Sequence, residues 1–289
     1  MGILTNGARD IEEAKTPNRK MDIGLETSQI NKDNIIEKTN LASNFPAVNT
    51  GDNYLNSLVE QRSEIRKMRE ASPLSRSALE SKKIIHHEMT NKDVINKFRN
   101  IRTKLFEKNT QENAIVLVCT PKNSGGTSFF ATNLAAAIAL EETKTALLVD
   151  CNLDNASITS TFNYESEIGL TDYLDQPSID LDQVIHPSGI SRFRIVPVGT
   201  QAEGSSEYFT SIRMRQFLQS TKARYPDRYI IIDAPPILSS ADTSILASMC
   251  DKAIIVIPYG KVQESDLDNA IEAVGIEKLT GVIFNENIY

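Results

Sequence analysis

The chain has 289 residues, with 31 Lys and Arg against 38 Asp and Glu and a formal net charge of −7. At roughly 100–200 residues per domain, that length admits one large domain or two ordinary ones. A hydrophobic fraction of 40%, three cysteines (Cys119, Cys151, Cys250) and no run of about 18 apolar residues exclude a disulfide scaffold and a membrane-spanning helix.

Taken from its start, MGILTNGARDIEEAK has no basic stretch followed by a long apolar one, so no signal peptide is expected and a cytoplasmic setting follows. Charge divides unevenly along the chain. Residues 1–113 carry 19 basic and 16 acidic side chains, a net of +3; residues 114–289 carry 12 and 22, a net of −10. The first 83 residues are rich in Asn, Ser, Thr, Lys and Glu, with no sustained apolar period. Such composition buries too little surface to offset chain entropy, so a flexible, mostly disordered segment is expected over 1–83. Within it, residues 53–70 hold a short helical pattern with a basic cluster, Arg62, Arg66, Lys67 and Arg69, which reads first as a solvated face and otherwise as a contact for acidic lipid or another protein.

The texture changes at 84, where an α/β domain is expected to begin and run to 289. Residues 93–106, DVINKFRNIRTKLF, set Val94, Phe98, Ile101 and Leu105 on one face of a helix and Arg99 and Arg102 on another. Then come an apolar strand at 114–120, the helical run FFATNLAAAIALEE, a strand at 145–150 and a weaker hairpin or strand at 193–199. A helix over IRMRQFLQSTKARY, a strand at 228–233, a helix after Ser240, a strand at 252–258, a helix from Glu264 and a strand at 280–285 complete the series. Continuous Val, Ile and Leu strands alternating with helices predict a doubly wound, mostly parallel sheet covered on both faces.

In such a sheet ligands gather beyond the carboxyl ends of the strands. After the first of these strands lies Pro121-Lys122-Asn123-Ser124-Gly125-Gly126-Thr127-Ser128, opening a helix. Small residues let backbone N–H groups converge on an anion, and the helix terminus adds a favourable dipole. Against the phosphate-loop pattern GxxxxGK[ST], Gly126 and Ser128 fit, Thr127 takes the lysine position, and Ser124 stands for the first glycine in a more closely spaced variant. On this loop alone, a glycine-rich turn without ligand is an equal reading. Asp150 and Asp233 close two further strands, expected to flank the loop strand, and paired strand-end carboxylates beside a phosphate loop suit a Mg²⁺–nucleotide site. The three cysteines, among apolar residues, read as buried inert thiols. His86, His87 and His186 lack partners at metal-ligand spacing, and the acidic balance of the domain disfavours nucleic acid. Phe129 and Phe130 read as core contacts.

The ordered set CTPKNSGGTSFFATNLA, TALLVDCNLDNAS, GLTDYL, RIVPVGTQAEGSSEYF, YIIIDAPPILSSADTSIL and GVIFN resembles the bacterial tyrosine kinases. These are the capsular and exopolysaccharide chain-length regulators, within the MinD/ParA group of P-loop ATPases. The resemblance covers about 91–285. It implies ATP or ADP with Mg²⁺ as ligands, held by Ser124, Gly125, Gly126, Thr127 and Ser128, with Ser128, Asp150 and Asp233 at the metal and Asn285 reading adenine. It also implies a membrane chain-length determinant protein as partner, at the cytoplasmic face of the cell membrane. Residues 91–106 would be the family's interface helix, with Arg99 and Arg102 building a homo-oligomer.

The departures from the family pattern are specific. Thr127 replaces the lysine that neutralises the transferring phosphoryl group, and Asn152 replaces the carboxylate proposed to activate the tyrosine hydroxyl; a neutral amide cannot accept that proton. Asn96 stands where the interface glutamate belongs, and Tyr289 is a lone terminal tyrosine in place of a cluster. Such a chain is expected to be a regulatory, scaffolding component of exopolysaccharide synthesis and export, with a weakened nucleotide site and weak or no phosphoryl transfer. The alternative is a working autokinase in which Lys122, with Asp150, replaces the missing lysine; Lys261 is a further candidate cation. A MinD/ParA-type positioning ATPase is the third reading.

Overall fold

The computed structural model of the chain describes residues 2–4, 72–107, 113–123, 125–165, 167–200 and 205–285. All of these belong to one unit, 1–6 with 60–289; the second unit, 7–59, lies outside them. The pattern at 53–70, with its basic cluster, also lies outside the described residues, as do Ser124 and Tyr289.

The chain order is β1 (Gly2–Leu4), α1 (Arg76–Ser81), α2 (Lys92–Glu107), β2 (Ile115–Cys119), α3 (Thr127–Ala139), β3 (Thr145–Asp150), α4 (Ser157–Phe162), α5 (Leu170–Asp175), α6 (Leu181–Val184), β4 (His186–Pro187) and β5 (Phe193–Val196). It continues with α7 (Ser205–Thr210), α8 (Ile212–Arg224), β6 (Arg228–Asp233), α9 (Ala241–Met249), β7 (Lys252–Pro258), α10 (Glu264–Val274) and β8 (Leu279–Asn285). The sheet runs β1-β8-β7-β2-β6-β3-β5-β4. Its six inner strands are parallel, and the short edge strands β1 and β4 are antiparallel. The doubly wound α/β fold is therefore present. Every residue of β2, β3, β6 and β7 is buried, as runs of Val, Ile and Leu without polar alternation require.

Two apolar layers sandwich the sheet. One, including Leu117, Leu147, Ile232, Phe217 and Leu246, lies under α5 to α10. The other centres on α3, whose Leu134–Ala139 turns are buried all round because α2 covers their outer side. α2 docks through Ile95, Phe98, Ile101 and Leu105, with Phe98 against Phe130 at 5.6 Å between ring centroids. Removing one such buried ring costs about 3–5 kcal/mol.

The expected boundary at 83/84 falls inside this packing. Leu74 N–H donates to Gly189 O at 2.8 Å, α1 is a capped helix, and Ile85 N–H donates to the Asn133 side chain at 2.8 Å. Residues 72–83 thus belong to the α/β unit, as does Gly2–Leu4, which pairs with β8 as a strand where a disordered segment is expected. A second correction concerns neighbours: β6 lies between β2 and β3, so Asp150 is two strands from the loop strand and only Asp233 is adjacent.

Candidate functional site

The loop after β2 is shaped by contacts that exclude side chains. A Cβ on Gly125 would sit 2.3 Å from Thr120 Oγ1, whose hydroxyl donates to Lys122 O at 2.9 Å. Gly126 caps α3 with φ +71°, and a Cβ there would meet Asn285 Nδ2 at 2.3 Å. Both positions therefore need glycine. The first-turn N–H groups of α3 have no intrahelical acceptor, which makes this end of the helix an anion cradle.

Beside the cradle is a cavity of about 530 Å³. Thr120, Asn123, Gly125, Gly126, Thr127, Ser128 and Phe129 line it from the end of β2 and the loop, Asn152, Asp154, Asn155 and Ser157 from the segment after β3, and Ala234, Pro235 and Pro236 with Ser239 and Ser240 from the segment after β6. Phe129, read as core, is 42% exposed on this wall; Phe130 is buried. Sequence reasoning missed Asp154, Asn155, Ser157, Ser239 and Ser240. Of these, Ser240 carries a legible signal, because it caps α9 by accepting from Asp242 N–H.

The two aspartates stand at the same register, Asp150 opposite Asp233, both fully buried. Asp150 Oδ2 accepts from Thr159 N–H at 2.9 Å and Thr159 Oγ1 at 2.8 Å, and Oδ1 accepts a long bond from Asn152 N–H at 3.4 Å. Burial pushes the Asp150 carboxyl up to about 6 against the pull of these bonds. Asp233 has no hydrogen-bond partner on either oxygen. Burial first, and the Asp150 charge second, hold its carboxyl well above the usual range; the nearby Ser128 hydroxyl offsets part of this without a hydrogen bond of normal geometry. A buried, bare carboxylate is costly unless a cation or proton meets it. Asp233 with Ser128 therefore fits a divalent ion, and Asp150 is spent on α4.

The remaining predicted residues are elsewhere. Lys122 Nζ pairs with Asp266 Oδ2 on α10 at 2.7 Å and does not line the cavity. Lys261 is exposed beyond β7 and does not line it either. Asn285 donates to Gly125 O at 3.1 Å, bracing the loop from outside the lining. On α2, Arg99 is exposed, but Arg102 turns inward: it donates to Ala137 O at 3.0 Å and pairs with Glu141 at 3.5 Å.

No family model matches the chain. The tyrosine-protein kinase CpsD of Streptococcus agalactiae is 30% identical over 192 residues, which cover 65% of this chain and 82% of that protein. The tyrosine-protein kinase ptk of Acinetobacter johnsonii is 26% identical over 196 residues, 66% of this chain but only 26% of that longer protein. The kinase domain of the Escherichia coli tyrosine kinase ETK superposes with a TM-score of 0.63 at 24% identity, covering 75% of this chain and 88% of that domain, and so shares its fold. By its likeness to CpsD along most of that protein's length, the chain belongs to the family of bacterial tyrosine kinases.

Proposed function

We propose that this chain is a regulatory or scaffolding member of its family, acting in exopolysaccharide or capsule synthesis and export with weak or no phosphoryl transfer of its own. One observation carries the reading: the cavity wall offers Thr127 where phosphoryl transfer needs a cation and Asn152 where it needs a base. Preorganised charges of this kind account for about 10²–10³ in rate each. The autokinase alternative needs Lys122 at the phosphates; in this structure Lys122 pairs with Asp266 and is absent from the cavity lining.

ATP or ADP, with Mg²⁺, would be held by backbone groups from 125 to 128, with Asp233 and Ser128 toward the metal. When bound, Mg²⁺ supplies charge neutralisation at the phosphates. Docking would use the exposed side of α2, with Arg99, against the cytoplasmic portion of a membrane chain-length determinant or a second copy. Membrane association would come through that partner; among the described residues, no helix is long and apolar enough to cross a membrane.

Purified full-length chain incubated with γ-labelled ATP is expected to show hydrolysis and transfer at least about 10²-fold below the Thr127→Lys/Asn152→Asp double variant. Transfer by the unaltered chain that Lys122→Ala abolishes would establish the autokinase instead. In the cell, deletion of the gene should alter polymer amount or length; unchanged polymer rejects the regulatory role.

A further inference from the structure

We propose that the cavity beyond β2 selects nucleoside diphosphates over triphosphates. This rests on the nucleotide-binding reading above and concerns which charge state the site accepts.

Sixteen described residues line the cavity, and Asp154 is the only charged one. No Lys, Arg or His is among them. Attraction for an anion therefore comes from backbone N–H groups and the α3 terminus, equivalent to about half a positive charge. The one charged side chain on this wall is negative, the exposed Asp154; Asp150 and Asp233, buried at the ends of β3 and β6, lie outside the lining. The loop's own ammonium, Lys122, is neutralised by Asp266 outside the lining.

A triphosphate brings one more negative charge than a diphosphate whatever its pose, and the difference persists when Mg²⁺ accompanies both. In a phosphate loop with lysine, that charge has a partner; Thr127 offers a hydroxyl alone. Room does not decide the matter, because about 530 Å³ is ordinary for a small-molecule site. Charge does. One more negative charge with no cation to meet it, facing the solvated Asp154, corresponds to about a tenfold loss in affinity.

Calorimetric titration of the full chain with ADP and with ATP, in EDTA and again in Mg²⁺, tests this. ADP should bind about tenfold more tightly in both media. Thr127→Lys should erase the preference by strengthening ATP more than ADP, and Asp154→Asn should reduce it several-fold. Thermal melts identify a variant that fails to fold; Asp154 is exposed, so its variant carries the test if Thr127→Lys does not fold. ATP binding as tightly as ADP overturns the proposal, as does a preference untouched in both folded variants. If neither nucleotide binds the unaltered chain at about 1 mM, the selectivity and the nucleotide ligand fall together, and the regulatory role remains testable through the polymer phenotype.

Discussion

The ends of β3 and β6 present the same residue at the same register, yet in opposite surroundings. Asp150 is bonded twice by Thr159 and once by Asn152, whereas Asp233 makes no hydrogen bond of normal geometry and has only the Ser128 hydroxyl nearby. Both are fully buried. The difference separates two uses of a strand-end carboxylate. Asp150 ties β3 to α4, and through the Thr159 hydroxyl, which also accepts from Val198 N–H at 3.0 Å, to the segment after β5. Asp233 holds an unfilled valence beside the phosphate loop. A bare buried carboxylate at a strand end suits a cation, whereas a bonded one suits a tie between elements.

The largest expected effect breaks the bonded half of this pair. Thr159→Val removes the hydroxyl, under-bonds a buried Asp150 and strands Val198 N–H. Hydrogen bonds to charged groups are worth about 1.5–3 kcal/mol, so a loss of about 3 kcal/mol in urea unfolding is expected. Thr159→Ser should recover most of it. A Thr159→Val chain as stable as the parent would mean that Asp150 does not tie β3 to α4.

A smaller effect of opposite sign tests the bare half. The folded-state affinity of Asp233 for its proton is raised, so between the ordinary carboxylate range and the raised value the folded chain binds more protons than the unfolded chain. Stability therefore falls as pH rises through that window; Asp150, pushed up to about 6, contributes the same sign from about pH 4 to 6. Asp233→Asn removes the ionised form and should gain about 1–3 kcal/mol at pH 7.5, with the gain vanishing near pH 4. Mg²⁺ should raise the melting temperature of the parent and leave that of Asp233→Asn unchanged. A gain that persists at pH 4 would show that the buried charge is not its source.

Long apolar runs made the sheet legible: the predicted strands at 145–150, 228–233 and 252–258 match β3, β6 and β7 end to end. The strand read to 199 stops at Val196, because Pro197 has no N–H for the ladder and Val198 N–H goes to Thr159. The helix at 93–106 became Lys92–Glu107, with Ile95 buried and Val94 only half-buried. The phosphate loop and both aspartates were visible as types at strand ends. Their partners were not. Strand order depends on crossovers that leave no local pattern, so the insertion of β6 between β2 and β3 was invisible. Thr159 sits nine residues beyond Asp150 and Asp266 lies 144 residues beyond Lys122, and neither spacing belongs to a helix or strand period. The inward turn of Arg102 was equally hidden, since an Arg at i and another at i+3 read alike as a solvated face until α3 is packed beside them.

The smallest expected effect concerns Lys122 and Asp266, and it sharpens the contrast with Thr159. Lys122 is 52% exposed, and water and salt screen such a pair. Lys122→Ala and Asp266→Asn should each leave the melting temperature unchanged, although the 2.7 Å contact is shorter than either Thr159 bond to Asp150. What should move is titration. The Lys122 hydrogen bond first, and the Gln263 N–H second, hold the Asp266 carboxyl below its usual range. In Lys122→Ala, NMR should find that carboxyl titrating higher, without a change in β-sheet amide protection. A melting temperature lowered as far as by Thr159→Val would instead make the loop and α10 one cooperative unit. Burial, rather than bond length, would then have failed as the quantity that ranks these two aspartates.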